Sequence, residues 1–321
     1  MLYSNSLKKL LYFPLSRFGV SCRLTSPPKT AIKQRFIATA EHSPTIYSEH
    51  EPSNEDHIYV AMSSGVDSST TAALMAQKYP GRVSGIFMNN WNSTSKCAEA
   101  DWNDVQRVAS FLGIPCRRVN FEKDYWLEVF EPMLEGYRNG YTPNPDVGCN
   151  RHIKFGALFE FLKQQTKKNN KNWWLATGHY AKVLKHNPTG VSHLLRPVDM
   201  NKDQSYYLST VDPIALAKLL FPMAQYTKPE IRTIAAKFQL PTAFKPDSQG
   251  LCFVSNEHNH FKDFLAEYIQ SKPGDIILQD GTVVGTHQGL WTATVGQKPP
   301  GLSMPQGNPK YKGSWFVCDK I

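Results

Sequence analysis

No apolar run in this chain approaches the roughly 18 residues needed to span a bilayer, so no membrane partner is expected. No repeat of fixed period is visible either, which excludes solenoid and propeller architectures. The six cysteines, Cys22, Cys97, Cys116, Cys149, Cys252 and Cys318, include no Cys-x-x-Cys pair, so neither a zinc ribbon nor a disulfide framework is indicated. Acidic residues are missing from the first 40 positions, where Lys8, Lys9, Arg17, Arg23, Lys29, Lys33 and Arg35 stand. The formal net charge of +9 is concentrated there and the remaining chain is close to neutral, so charge alone does not mark a nucleic-acid binder. A basic, acid-free, hydroxyl-bearing opening with short apolar patches such as Leu10, Leu11, Tyr12 and Phe13 reads as a mitochondrial transit peptide. It lacks the continuous apolar core of a secretory signal. Residues 1–55 are therefore expected to be leader and linker, the first 40 to 55 removed on import, and the protein to reside in the mitochondrial matrix.

What is present suits a folded body. In 321 residues, 41% hydrophobic and 12% aromatic content is ample for one large or two ordinary domains. From Ile58 to about Ala181, short β-rich runs alternate with helical patterns. "IYVAM" precedes a helix over 68–78, "VSGIFM" one near 101–112, "CRRVNF" one over 125–137, and "WWLATG" follows one over 155–163. Such alternation predicts an α/β fold with a parallel sheet covered on both faces and ligands at the C-terminal strand ends. A hairpin is expected after "ATGHYAKV", then helices over 213–221 and 228–238. The texture changes near Phe253 to Gly-, Pro- and Gln-rich loops with short strands, which predicts a first domain over 56–252 and a smaller one over 253–321. The closing run "SWFVCDKI" is strand-like, with no partner expected for it.

The stretch "YVAMSSGVDSSTTAALMAQKY", residues 59–79, runs from a strand through a Ser, Gly and Asp turn into a helix, the arrangement that points backbone N–H groups at a phosphate. It is not a Walker loop, because no lysine stands between Ser63 and Gln77. Whatever it binds is cradled without a lysine of its own. Three further stretches carry reactive side chains. "TPNPDVGCNRHIKF" places Asp146 and Cys149 three apart, "KPDSQGLCFV" places Cys252 after Asp247, and "ATGHY" puts Gly178 and His179 at a strand end. Singly, each has an ordinary explanation in turn formation or hydrogen bonding.

Together they resemble one family. "SSGVDSS" resembles the pyrophosphate-binding loop of the PP-loop ATP pyrophosphatases, whose domain is adenine nucleotide alpha hydrolase-like. "GIFMNNW", "LGIPCRRVNF", "TPNPDVGCNRHIKF", "ATGHY", "LLRPVDMNKDQSYYL" and "DSQGLCF", in this order, resemble the tRNA 2-thiouridylase family in its mitochondrial form. The resemblance implies ATP-dependent replacement of the 2-oxygen of the wobble uridine by sulfur in mitochondrial tRNAs of the Lys, Glu and Gln type. It implies that Ala61, Met62, Ser63, Ser64, Gly65, Val66, Asp67 and Ser68 hold the phosphates, that Met88 and Gly178 contact the nucleotide, and that Asp67 helps bind Mg²⁺. It implies a persulfide on Cys252, supplied by a donor derived from a cysteine desulfurase, and attack by Cys149 that leaves a Cys149 to Cys252 disulfide. Asn144, Pro145 and Asp146 would lie beside the target base, with Asp146 as acid or base, and His179, Lys202, Asp203 and Gln204 would touch tRNA.

Two departures from the family pattern carry expectations. Ser64 stands where the family has a second glycine, so its Cβ is expected to crowd the phosphates and Ser64→Gly to keep or improve ATP use. The family's C-terminal β-barrel is not reached by this sequence, so the second domain is expected to be incomplete. Three other readings compete. Another PP-loop adenylating enzyme would need the loop but neither Cys149 nor Cys252; an iron–sulfur enzyme would need a third cysteine, for which Cys97 and Cys116 are the candidates; a non-catalytic tRNA binder would need no chemistry.

Overall fold

The computed structural model describes residues 10–14, 46–91, 95–167, 172–247, 261–304, 307 and 309–321. They form two compact units. The larger contains the described residues of 46–129 and 145–247, and the smaller those of 10–14, 130–144 and 261–321.

The larger unit is built on the expected parallel sheet, five strands in the order Cys116–Asn120, Val83–Asn89, His57–Met62, Trp173–Ala176 and Leu219–Leu220. Ile58, Val60, Ile86, Leu175 and Ala176 are fully buried, as strands covered on both faces require. Ala72, Met75, Val105 and Val108 continue this core into the helices Val66–Lys78 and Lys96–Leu112. The second of these starts where the Ser95 side chain accepts a hydrogen bond from the Ala98 N–H at 3.2 Å. It stops at Gly113, whose φ of 65° is the left-handed cap that ends many helices.

The strand order fixes where a ligand can go. From His57–Met62 the chain steps outward to Val83–Asn89 and Cys116–Asn120, then returns to place Trp173–Ala176 on the opposite side of His57–Met62. The loops after Met62 and Ala176 therefore part at a topological switch point, which opens a crevice at the C-terminal ends of these two strands.

Several elements differ from the sequence expectation. The helix expected over 125–137 is interrupted by a π-helical turn, Trp126–Phe130, and that expected over 155–163 begins earlier as Pro145–Gly148, passes through a π-helical stretch Cys149–Ala157 and ends as Leu158–Lys167. Widened turns of this kind are frequent at functional sites and leave no signature in apolar periodicity. Residues 130–144, placed by sequence in the first domain, pack with the smaller unit. Tyr47–Glu49, placed in the linker, is the third strand beside the hairpin Lys182–His186 and Ser192–Leu195, and the Tyr47 hydroxyl lies 3.0 Å from His193 Nδ1.

The smaller unit holds a sheet in the order Val283–His287, Gly274–Leu278, Leu10–Pro14 and Trp315–Lys320. The closing strand, expected to lack a partner, pairs antiparallel with Leu10–Pro14, from the segment read as leader. Ile276, Leu278, Val284, Leu290, Trp315 and Val317 form its core. Among the described residues, no helix is long and apolar enough to cross a membrane.

Candidate nucleotide and thiolation site

The loop after Met62 is closed by its own serines. Ser68 Oγ accepts the Ser63 N–H at 3.0 Å and donates to the Ser63 carbonyl at 2.6 Å. Helix Val66–Lys78 then starts at Gly65 with no side chain capping it, which leaves its first-turn N–H groups for a ligand. Gly178 comes so close that a Cβ there would lie 2.9 Å from Asp67 C and Ser68 N, so only glycine fits against the loop. Val66 faces the core with Ala73, Ala235, Leu240 and Ala243, and can offer only its backbone.

Ser64 behaves differently from the expectation. Its hydroxyl donates to Asp101 on the neighbouring helix, and Asp101 also accepts from Lys245 at 3.3 Å. Ser64 is absent from the residues with positive φ, so its Cβ does not strain the turn.

A cleft of about 450 Å³ opens above this loop. It gathers Ala61, Met62, Ser63, Asp67, Ser68, Met88, Gly178, His179, Lys202, Asp203 and Gln204, all named from the sequence as nucleotide or tRNA contacts. It adds Lys154, Thr177, Tyr180, Asn201, Tyr207 and Asp247, which sequence reasoning did not name as ligands.

Within the cleft wall several predicted tRNA contacts are engaged by the protein itself. His179 Nε2 lies 3.3 Å from Lys154 Nζ and its Nδ1 lies 2.7 Å from Thr177 Oγ1. An ammonium can only donate, so Nε2 accepts and Nδ1 carries the proton, which it donates to Thr177. Burial, and after it the Lys154 charge, hold the imidazole well below its ordinary pKa. Both ring nitrogens are thus engaged within the protein, and the charge beside His179 in the cleft belongs to Lys154. Gln204 Oε1 accepts the Tyr180 N–H at 2.9 Å, and Asp203 pairs with Arg196 at 3.0 Å.

The lysine missing from the loop's sequence arrives from elsewhere. Lys228, at the start of helix Lys228–Lys237, places Nζ 2.7 Å from both carboxylate oxygens of Asp67 and 3.0 Å from Asp247 Oδ1. The Tyr180 hydroxyl donates to Asp67 Oδ1 at 2.9 Å. Asp247 also accepts from Lys202 at 3.1 Å and from Arg232. Burial disfavours its charged form, but the hydrogen bonds and charges of Lys228 and Lys202 outweigh that and hold the carboxyl at about 2. Asp67 was expected to bind Mg²⁺, and its surroundings do not fit that role: a fixed ammonium lies against both oxygens, where it would repel a divalent ion. Among the described residues, no group of three His, Cys, Asp or Glu side chains could hold a metal.

Cys149 and Asp146 lie on the helical segment that begins at Pro145, within the larger unit, whereas Asn144 belongs to the smaller one. Pro145 is buried. Cys149 is half-buried, with Asn90 Nδ2 4.0 Å from its sulfur. Asn90 Oδ1 and Asn150 Oδ1 are buried acceptors without a hydrogen-bond partner among the described residues. Burial pushes the Asp146 carboxyl above its ordinary pKa, against the opposing charge of Lys154. Cys252 lies outside the described residues. Cys116, a candidate third ligand for a cluster, packs against the sheet core, and burial pushes its thiol up to about 11; Cys97 is exposed.

A parallel sheet whose switch point carries a Ser-Gly-Asp turn and an uncapped helix start defines a nucleotide-binding domain of the PP-loop class. Residues 56–256 match the family described as "tRNA methyl transferase HUP domain" and residues 262–321 that described as "tRNA methyl transferase PRC-barrel domain". The chain is 51% identical over 285 residues to mitochondrial tRNA-specific 2-thiouridylase 1 of Saccharomyces cerevisiae, across 84% of this chain and 67% of that protein. It is 46% identical over 282 residues to the enzyme of that name from Schizosaccharomyces pombe, with the same coverage, and 47% identical over 268 residues to tRNA-specific 2-thiouridylase MnmA of Limosilactobacillus reuteri, across 82% and 68%. It belongs to the tRNA-specific 2-thiouridylase family.

Proposed function

We propose that this protein is a tRNA-uridine 2-sulfurtransferase that uses ATP to thiolate the wobble uridine of mitochondrial tRNAs of the Lys, Glu and Gln type. One observation carries the reading most directly. The Ser63–Ser68 turn, Gly178 and the lysines Lys154 and Lys202 line one cleft at the sheet's switch point, a setting suited to a polyphosphate. The relatives named above support the choice of tRNA and of sulfur as the group transferred, and two of them support the mitochondrial setting.

ATP supplies a leaving group, because oxide is not expelled from a ring carbonyl at neutral pH. Ser63 to Ser68 bind the phosphates through backbone N–H groups, Met88 and Gly178 border the nucleotide, and Lys154 and Lys202 balance its charge. Asn144, Pro145 and Asp146 flank the uridine, which the single-stranded anticodon loop presents at little unstacking cost. Asp146 serves as the acid or base at the ring.

Sulfur arrives as a Cys252 persulfide charged by a donor derived from a cysteine desulfurase. The Cys149 thiolate attacks its inner sulfur, which forms the Cys149 to Cys252 disulfide and expels hydrosulfide. Hydrosulfide adds to the activated carbon and AMP leaves, so two electrons pass from Cys149 to the transferred sulfur, and a thiol reductant must reopen the disulfide. Mass spectrometry of mitochondrial tRNA wobble uridines with and without this gene tests the proposal: loss of 2-thiouridine is expected, and unchanged 2-thiouridine contradicts it.

A further inference from the structure

Asp67 poses an electrostatic problem. Its carboxylate lines the cleft at the helix start where phosphates are expected, so a bare negative charge there would repel the polyphosphate. A bound divalent ion is one remedy, and it needs oxygen lone pairs at roughly 2.1 Å in near-octahedral order. Lys228 supplies the other, for its ammonium lies 2.7 Å from each Asp67 oxygen with only 11% of the side chain exposed.

Several contacts hold Lys228 in place. Its backbone N–H donates to Asp199 at 2.9 Å, its ammonium lies 5.9 Å from the centre of the Tyr180 ring, and Thr227 and Glu230 form a capping box at the start of its helix. The same ammonium reaches Asp247 at 3.0 Å, so two carboxylates from distant parts of the chain share it. Asp247 is further matched by Lys202 and Arg232, which leaves the cluster of Asp67, Asp247, Lys202, Lys228 and Arg232 with an excess of positive charge.

We propose that Lys228 is the resident cation of the phosphate loop: it holds and neutralises Asp67 in place of a protein-bound divalent ion. The inference rests on the nucleotide reading above. Lys228 is a positioning residue, acting through Asp67. Any Mg²⁺ that accompanies the nucleotide is held by phosphate oxygens, with no ligand from Asp67.

Two measurements on the full chain test this. The first is Mn²⁺ binding to nucleotide-free protein by electron paramagnetic resonance; the second is affinity for α,β-methylene ATP in EDTA. Wild type should take up no stoichiometric Mn²⁺ up to about 1 mM. Lys228→Met should gain a Mn²⁺ site that is lost again when Asp67→Asn is added, and its nucleotide affinity in EDTA should fall by roughly tenfold or more, recovering in part with Mg²⁺. The inference is overturned if nucleotide-free wild type binds Mn²⁺ at one site removed by Asp67→Asn, or if folded Lys228→Met binds the analogue in EDTA as wild type does. Should Lys228→Met not fold, Lys228→Gln takes its place, and the comparison of wild type with Asp67→Asn stands regardless. A folded wild type with no affinity for the analogue under any condition contradicts the nucleotide reading instead, and the Mn²⁺ arm still decides the role of Lys228.

Discussion

Lys154 Nζ and His179 Nε2 lie 3.3 Å apart, and the pair works in one direction only: the lysine donates and the buried imidazole accepts. A protonated His179 would face the ammonium with a like charge and lose its acceptor. For a histidine with a lowered pKa, the folded state binds fewer protons than the unfolded chain, so stability is full above the ordinary value of 6.5 and falls as the pH drops below it. His179→Gln, which removes the titrating group, should flatten the fall in melting temperature between pH 7.5 and 5.5 that wild type shows. Parallel melting curves of the two proteins check this, and identical pH slopes would contradict it.

Gly178→Ala should weaken nucleotide binding while the fold survives. The added methyl would sit 2.9 Å from two backbone atoms of the loop, neither of which can rotate away. Displacing them costs about 1–3 kcal/mol, or roughly 5- to 150-fold in affinity. Titration calorimetry with α,β-methylene ATP reads this, and wild-type affinity in Gly178→Ala would show that the loop is not where the nucleotide binds.

Ser64 deserves a different expectation from the one its sequence position suggests. Its hydroxyl is bound to Asp101 and it is not among the residues lining the cleft, so Ser64→Gly should not improve ATP use. Ser64→Ala should leave nucleotide affinity within about twofold and cost roughly 0.5–1.5 kcal/mol of stability, the worth of one hydrogen bond. Denaturant unfolding and nucleotide titration together separate the two effects; a gain in affinity in either variant would restore the crowding argument.

Asp247 should make the protein acid-labile. Its carboxyl sits at about 2 against an ordinary value of 3.8, so its stabilising effect is present above 3.8 and is lost as the pH falls toward 2. Allowing for partial solvent screening, roughly 1–2 kcal/mol should disappear across that window. Asp247→Asn should be less stable than wild type at neutral pH, with the difference shrinking in acid. Urea unfolding at pH 6 and pH 3 measures it, and a difference that does not shrink excludes the ionic role.

How far the sequence reaches can be seen from particular residues. The turn from Ser63 to Ser68, the parallel strands and the place of Gly178 at a strand end were legible because apolar runs and helix-start residues carry local signals, whereas the approach of Gly178 to the loop was not. The capping box of Thr227 and Glu230 was equally local, and the helix after it was expected. What Lys228 does was not legible, since its partner Asp67 lies 161 positions away and only tertiary packing brings them together. The partners of His179 and Ser64 were not legible for the same reason: each has polar atoms bonded to a group that local sequence does not reveal. The π-helical stretches at Trp126 and Cys149 escaped because a single wide turn leaves the apolar pattern on either side intact.

The central claim is that sulfur transfer is a step separate from activation by ATP, and that its two cysteines have different tasks. Labelled sulfur, counted separately on protein and on tRNA with folding checked in parallel, tests it most directly. Cys149→Ser should accept label from a persulfide donor and hold it on Cys252 without passing it to tRNA in repeated turnover, whereas Cys252→Ser should bind ATP and tRNA yet carry no label and form no 2-thiouridine. Normal 2-thiouridine formation by folded Cys252→Ser would contradict the account.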